Sequence, residues 1–278
     1  MRIPVLLATF SLLAGGTARY SVRGLVIAEN VRQHKLTISH EQIPGYMDAM
    51  SMPFEVRGSS APPGTTISFT LVVDAKRSWV EDVRPLAFES AERDPALASR
   101  LQLVDRAMGQ GSSPLSVGER VPDFTLTDQT GRSVSLGEMR GQVVAVTFVY
   151  TRCPLPDYCL RLNNNFDRLS KRFAARDDLR LLTISFDPVH DTPDKLAQYG
   201  SIWKADARRW QFLTGSPQEI ERVSAMFGVT AWKDDGLLTH SLHTAVVGRD
   251  GRLVANLEGN KFSAKQLGDL VESVLASR

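Results

Sequence analysis

The segment Gln142-Val-Val-Ala-Val-Thr-Phe-Val-Tyr150, continued by Thr151-Arg-Cys-Pro-Leu-Pro-Asp-Tyr-Cys159, decides the fold of this 278-residue chain. Its first part is a continuous apolar run, which is typical of a strand buried on both faces. An apolar stripe at helical spacing then predicts a helix from Leu160 to Phe173. A buried strand followed directly by a helix is the repeating unit of an α/β sheet. The residues between the two elements lie where such sheets carry their chemistry.

The same alternation continues to the C-terminus. It predicts an α/β domain over residues 118–278, with helices covering a mixed sheet. Further strands are predicted at 179–186 and 210–214, helices at 192–203, 216–227 and 263–276, and a hairpin at 244–255.

The N-terminal half has a different pattern. Short β-branched segments at 20–27, 35–40 and 66–73, separated by turn residues, predict a small all-β barrel over residues 20–86. Residues 87–117 are rich in Ala, Glu and Arg and end in a Gly- and Ser-rich stretch, which indicates an interdomain linker.

The extreme N-terminus resembles a targeting signal. Arg2 precedes an apolar run from Ile3 to Ala14, and small residues follow it. This order predicts a cleaved secretory signal over residues 1–18 and a periplasmic or otherwise extracytoplasmic protein with no membrane span afterwards. The net charge of +2 provides no field that would attract a polyanion, so nucleic acid is not an expected partner.

Cys153 and Cys159 are the only cysteines of the chain. A close pair in an oxidising compartment forms a structural disulfide, exchanges disulfides or binds metal. A bridge closing so short a loop adds little stability, and a helix N-terminus favours the thiolate, so the functional interpretations are preferred. A soft metal would need a third ligand, and His190, His240 and His243 are the candidates. In an extended segment His240 and His243 face opposite sides, so both are not expected at one ion.

Four motifs occur in order: Val121-Pro-Asp-Phe-Thr-Leu-Thr-Asp-Gln-Thr-Gly131, Tyr150-Thr-Arg-Cys-Pro154, Ile184-Ser-Phe-Asp-Pro-Val-His-Asp-Thr-Pro193, and His240-Ser241 ahead of Asp250-Gly251. Over roughly residues 115–275 the chain thereby resembles the SCO/SenC family. The resemblance implies a thioredoxin-like fold and copper held by Cys153, Cys159 and His240. It also implies delivery of copper to the CuA centre of cytochrome c oxidase, or reduction of the cysteines of that centre.

The chain departs from this family in its cysteine spacing. Five residues, two of them prolines, separate Cys153 from Cys159, whereas the family usually has three. The affinity and redox potential of the family site are therefore not carried over. Asp187 and Asp191 have two interpretations: they form hydrogen bonds near the cysteines, or they serve a turn and a helix cap.

A second group of soft ligands lies between His40 and Phe54, where Met47, Met50 and Met52 are concentrated. Such methionines often fill a core. Met50 and Met52 nevertheless alternate on a predicted strand, and thioethers with an imidazole select Cu(I).

The His…Met-x-Met-x-Phe pattern resembles the small periplasmic CusF-like copper-binding domain, an OB-like five-stranded barrel. The resemblance implies that His40, Met50 and Met52 are ligands for copper or silver. Met47 stands near the place of the family tryptophan and is a candidate fourth ligand. A transfer of copper between the methionine and cysteine sites is a further hypothesis.

The leading prediction is an extracytoplasmic copper chaperone that serves a cytochrome c oxidase subunit or another copper client. A thiol–disulfide oxidoreductase would use Cys153 and Cys159 without metal and would work with a thiol reductant partner. A copper-resistance protein that only sequesters the metal is the third alternative, and the N-terminal domain fits it equally well.

Overall fold

The protein is described by a computed structural model that covers residues 17–86, 114–154, 156–229, 231–234 and 237–277. For residues 156, 157, 232–234 and 237–240 only the backbone is described. Residues 1–16 of the predicted signal and residues 87–113 of the predicted linker lie outside these ranges. Within them, no helix has the length and apolar character that crossing a membrane requires.

The N-terminal part is a closed five-stranded barrel with the strand order β1-β2-β3-β5-β4, which confirms the prediction of a small barrel. All pairs are antiparallel except β3 with β5. The strands are β1 (Ala18–Asn30), β2 (Lys35–His40), β3 (Ser51–Val56), β4 (Thr66–Val73) and β5 (Ser78–Pro85).

Alternating residues of these strands fill the barrel. Leu36 and Ile38 on β2 are fully buried, and Phe54 on β3 stands opposite Leu36. Because directly opposite residues of an antiparallel pair point to the same face, Met52, opposite Ile38, belongs to this inward-facing row.

The C-terminal part is a seven-stranded mixed sheet with the order β14-β13-β8-β9-β10-β6-β7. Strands β8, β9 and β10 are parallel, and their side chains are almost entirely buried because helices cover both faces. The strands are β6 (Thr125–Asp128), β7 (Ser133–Ser135), β8 (Val143–Val149), β9 (Leu179–Ser185), β10 (Trp210–Thr214), β13 (His243–Val247) and β14 (Leu253–Glu258).

Four helices are described in this part: α1 (Arg161–Arg172), α2 (Pro193–Ser201), α3 (Pro217–Met226) and α4 (Ala264–Ala276). Helices α1 and α4 pack on one face of the sheet, and α3 packs on the other. Each lies within two residues of its predicted ends. Thr192 occupies the N-cap position of α2, and its side chain makes no capping hydrogen bond.

Strands β5, β6 and β7 were not predicted individually, and a hairpin and a π-helical turn were also missed. The strands β11 (Ala231–Asp234) and β12 (Leu237–His240) pair as a separate hairpin. A π-helical turn, Pro156–Leu160, precedes α1.

The strand directions place several segments together. Val149 at the end of β8 pairs with Ser185 at the end of β9. Strand β13 runs antiparallel to β8, and its first residue, His243, pairs with Glu258 at the end of β14. We call the side of the sheet defined by these four residues the cysteine end, because the cysteine loop follows β8 there.

Candidate metal centre

The two cysteines follow the turn that leaves β8, Cys153 directly after it and Cys159 just before α1. Cys153 is half-buried on the loop, and its backbone N–H donates to the carbonyl of Tyr150 at 3.3 Å. Cys159 is 1% exposed and lies in the π-helical turn. No disulfide joins them.

The two thiols contact each other. A hydrogen bond with Cys153, together with burial, raises the pKa of the Cys159 thiol well above its ordinary value. The expectation that the helix N-terminus favours the thiolate is therefore wrong for Cys159. Burial and a neighbouring sulfur outweigh the helix dipole there.

The π-helical turn accounts for this contact despite the long cysteine spacing. A π-helix bonds residue i to i+5, so each turn holds more residues than a turn of α-helix. Here the wide turn takes up part of the additional chain between Cys153 and Cys159. The sulfur atoms consequently meet although five residues separate them.

The base of the loop is held by Asp191, which is fully buried. Its carboxylate accepts three hydrogen bonds, from the Thr151 N–H at 3.0 Å, the Thr151 hydroxyl at 2.6 Å and the Ser185 hydroxyl at 2.5 Å. These bonds connect the start of the cysteine loop to the end of β9. The interpretation of Asp191 as a helix cap is wrong, because its partners lie on the loop and the strand.

Asp187 forms a second connection to the loop. It accepts from Arg152 at 2.6 Å, and its other oxygen lies 2.8 Å from Nδ1 of His190. Burial raises the pKa of Asp187, but the hydrogen bonds from Arg152 and His190 outweigh burial and hold it below its usual value. Asp187 thus stays ionised beside a half-exposed imidazole.

The three candidate histidines differ in their surroundings. Nδ1 of His190 is shared between Asp187 and Arg152. His243 occupies a sheet position, as predicted, with Nδ1 3.3 Å from the side-chain oxygen of Asn256.

His240 is the last residue of β12, and its backbone pairs with Ala231. Leu242, two residues after His240, accepts a hydrogen bond at 2.7 Å from the Gly259 N–H, directly after β14 ends at the cysteine end. The backbone therefore places His240 at the cysteine end. Among the side chains that the structure describes, which exclude that of His240, no three from His, Cys, Asp and Glu form a metal site.

The barrel brings the second predicted set of ligands together. The backbone N–H of His40 donates to the carbonyl of Met50 at 2.9 Å, which continues the β2–β3 pairing beyond Ser39 and Ser51. His40 and Met50 are thus opposite one another on the inward-facing row, with Met52 diagonal to His40. Met50 is 41% exposed, whereas Met52 and Met47 are half-buried against the barrel core.

The imidazole of His40 is held through one of its two ring nitrogens. It is 1% exposed, and Nδ1 lies 2.7 Å from the carbonyl oxygen of Glu41. Because a carbonyl can only accept, Nδ1 is the donor in this contact, and Nε2 is the ring nitrogen that the contact leaves unused. Nε2 is buried and has no hydrogen-bond partner among the described residues. A buried nitrogen in this state is typical of a metal ligand whose other nitrogen is held by the protein.

Comparison with known proteins identifies the C-terminal part. The sequence profile of the SCO1/SenC family matches residues 114–276, more than half of the chain. The chain belongs to the SCO1/SenC family. The match begins at Pro114, beyond the last strand of the barrel.

Individual SCO1/SenC relatives agree with this assignment. The chain is 30% identical to the SCO1 protein homolog of Bacillus subtilis (strain 168) over 50% of this chain and 74% of that protein. It is 31% identical to a putative copper-binding protein of Stutzerimonas stutzeri over 48% of this chain and 66% of that protein. A solved SCO1/SenC family lipoprotein of Bacillus anthracis str. Ames is 20% identical, covers 59% of this chain and 99% of its own, and has a TM-score of 0.52. This structural similarity shows that the two proteins share the thioredoxin-like fold.

Sequence reasoning missed several residues around the cysteines of this SCO1/SenC domain. Thr151 and Ser185 carry the hydrogen bonds to Asp191, and Asn163 donates to the phenol of Tyr199 at 3.1 Å. Burial, followed by the nearness of Cys159, raises the pKa of Tyr199. Thr151 and Ser185 lie inside the quoted motifs, so the motifs themselves contained the signal.

Proposed function

We propose that this SCO1/SenC protein is an extracytoplasmic copper chaperone. The observation that carries the proposal is the contact between the Cys153 and Cys159 thiols at the end of the sheet where His240 also lies. Thiolate and imidazole ligands suit copper, and copper is the cargo of this site. The Stutzerimonas relative, a putative copper-binding protein, supports the same ligand.

The client follows from the family resemblance. We propose the CuA centre of cytochrome c oxidase as the recipient of the copper, or as the dithiol that the protein reduces. The secretory signal predicted from residues 1–18 supports a place outside the cytoplasm, where that centre is assembled.

Metal analysis of the reduced full chain tests the cysteine site. The Cys153→Ser/Cys159→Ser and His240→Ala variants should each lose the copper that this site holds. His243→Gln is the matched control, because His243 is a half-buried sheet residue three positions away, and its copper content should equal that of the unchanged protein. Retention of this copper by His240→Ala would refute the proposed ligand set.

A thiol–disulfide reductase is the second candidate. The supporting observation is the unequal exposure of the thiols: Cys153 is half-buried and Cys159 is buried beside it. This arrangement fits an attacking thiol and a resolving thiol. His240→Ala separates the two functions, because a reductase requires only the cysteines and should keep its activity in that variant.

We further propose a second Cu(I) site in the barrel, formed by His40, Met50 and Met52 with Met47 as a candidate fourth ligand. The unpartnered Nε2 of His40 supports it, as does the resemblance to the OB-like CusF domain. Met50→Leu/Met52→Leu should reduce two bound Cu(I) per chain to one. Met226→Leu, a buried methionine in α3, is the control. Full retention of Cu(I) by the double variant would refute the barrel site.

A further inference from the structure

The barrel is docked on the SCO1/SenC domain through a shared apolar core. Leu25 and Ile27, on the outer side of β1, are buried in the same cluster as Phe262, Leu267 and Leu270 around α4. At Gly64 the barrel backbone approaches β14 so closely that an added Cβ would lie 2.8 Å from the Cβ of Ala255. The position of the barrel is therefore defined by direct packing.

A buried polar cluster joins the same surfaces. The Ser39 hydroxyl donates to Asp269 at 2.7 Å, and the Gln266 amide donates to the Ser39 carbonyl at 3.1 Å. Asp269 also accepts from Arg172 at 3.0 Å and from Lys265 at 2.7 Å. Burial raises the pKa of Asp269, but these hydrogen bonds, led by that from Lys265, hold it below its usual value. Ser39 is directly followed by the predicted ligand His40.

The direction of α4 shows which end of the sheet this contact faces. Helix α4 starts shortly after β14 ends at the cysteine end. Its last turn lies at the opposite end, where Arg249, in the β13–β14 turn, donates to the Leu275 carbonyl at 2.9 Å. Ser39 contacts only the first two turns of α4, through Gln266 and Asp269. His40 therefore lies beside the half of α4 nearer to Cys153 and Cys159.

We propose that the barrel is a built-in donor that transfers Cu(I) to the cysteine pair of the same chain. This inference rests on the two copper sites proposed above. Met50 lies partly exposed at the barrel end, and Cys153 is the more accessible thiol of the pair, so these residues are the exit and entry points of the ion. Docking on one chain raises the effective concentration of the donor site at the acceptor to around millimolar.

The transfer involves no oxidation. Copper remains Cu(I), its bonds to His40 Nε2 and the Met50 and Met52 sulfurs break, and bonds to the sulfurs of Cys153 and Cys159 form with His240 as third ligand. The two thiols release two protons to solvent, since only thiolates bind the metal. Anionic thiolates bind Cu(I) more tightly than neutral thioethers, so the ion moves from the barrel to the cysteines.

The test compares transfer within one chain and between chains. Reduced full-length protein at micromolar concentration receives one equivalent of Cu(I) from a chelator, and the near-ultraviolet thiolate-to-copper absorbance reports loading of the cysteines. The variants are Met50→Leu/Met52→Leu, the control Met226→Leu, and an equimolar mixture of the first variant with Cys153→Ser/Cys159→Ser. Copper analysis of each double variant first establishes which site it retains.

We expect Met50→Leu/Met52→Leu to load its cysteines up to about 1,000-fold more slowly than the unchanged chain, the ratio of a millimolar effective to a micromolar free concentration. Met226→Leu should load normally, and the mixture should stay slow. Unchanged loading by the methionine variant, or recovery of the rate in the mixture, would refute transfer within one chain. Neither result would contradict the two proposed copper sites themselves. A cysteine-free variant that binds no Cu(I) would overturn the barrel site and the transfer together. A methionine variant that binds none would instead overturn the cysteine site.

Discussion

Replacing Asp191 with Asn should weaken both the fold and the pairing of the cysteine thiols. The carboxylate is fully buried and accepts hydrogen bonds from the Thr151 N–H, the Thr151 hydroxyl and the Ser185 hydroxyl. A hydrogen bond to a charged group contributes about 1.5–3 kcal/mol, and one to a neutral group about 0.5–1.5 kcal/mol. Because the Thr151 hydroxyl can reverse its role and accept from the new amide, all three contacts persist in neutral form. The expected loss is about 1 kcal/mol per contact, or about 3 kcal/mol in the free energy of unfolding.

The chain contains a matched control in Asp128. This buried carboxylate also accepts hydrogen bonds, from the Thr130 N–H at 2.8 Å, the Thr130 hydroxyl at 2.7 Å, the Arg132 N–H at 3.0 Å and the Gln211 side chain. It lies at the β6–β7 turn on the far side of the sheet from β14. Asp128→Asn should therefore lower the free energy of unfolding by a similar amount without affecting the cysteine loop.

The distinguishing measurement is the equilibrium of the Cys153–Cys159 dithiol with glutathione buffers. We take half of the lost free energy, about 1.5 kcal/mol, as the part that restrained the cysteine loop. Since 1.4 kcal/mol corresponds to a factor of ten, the effective concentration of one thiol at the other falls about tenfold. The disulfide of Asp191→Asn should then be about tenfold easier to reduce, and that of Asp128→Asn should be unchanged. Equal shifts in the two variants would show that Asp191 has no positioning role.

Three further predictions concern other parts of the molecule. Cys153 should be alkylated faster than Cys159 in the folded protein, because Cys159 is buried and its thiol pKa is raised; peptide mass spectrometry checks this, and equal rates would contradict it. The pKa of Asp269 is lowered, so its contribution to stability is complete above about pH 4 and is lost as the pH falls further. Asp269→Asn should accordingly flatten the acid side of a melting-temperature profile, and an unaltered slope would exclude this role. Gly24→Ala should lower the free energy of unfolding by about 1–3 kcal/mol, because the new Cβ would lie 2.6 Å from Ile38 Cγ2; urea denaturation measures the loss, and a neutral result would refute the close approach.

The elements that sequence reasoning predicted well are those with a strong local pattern. Strands β2, β4 and β10 have the predicted bounds, and α3 lies within one residue of its predicted ends. In each case the side chains that face the core recur at the period of the element, so a short window contains the information.

The missed elements depend on weaker or longer-range signals. The β11–β12 hairpin flanks Asp235-Gly236, a pair that favours tight hairpin turns, but its strands carry mixed polar and apolar residues. The π-helical turn at Pro156–Leu160 has no periodic signature. It brings Cys159 to Cys153, and a family pattern with a shorter spacing does not predict that contact.

The residue types and their order along the chain were sufficient to predict a barrel, an α/β domain and two groups of soft ligands, because hydrophobic periodicity and ligand chemistry are local properties. Only the tertiary structure shows three contacts. The thiols of Cys153 and Cys159 are hydrogen-bonded, Asp191 accepts hydrogen bonds from the start of their loop, and Ser39 of the barrel donates to Asp269 on α4. Each of these contacts joins elements that are distant in sequence or depends on an irregular turn. Their geometry is set by how the strands and helices pack, which no short segment of the chain determines alone.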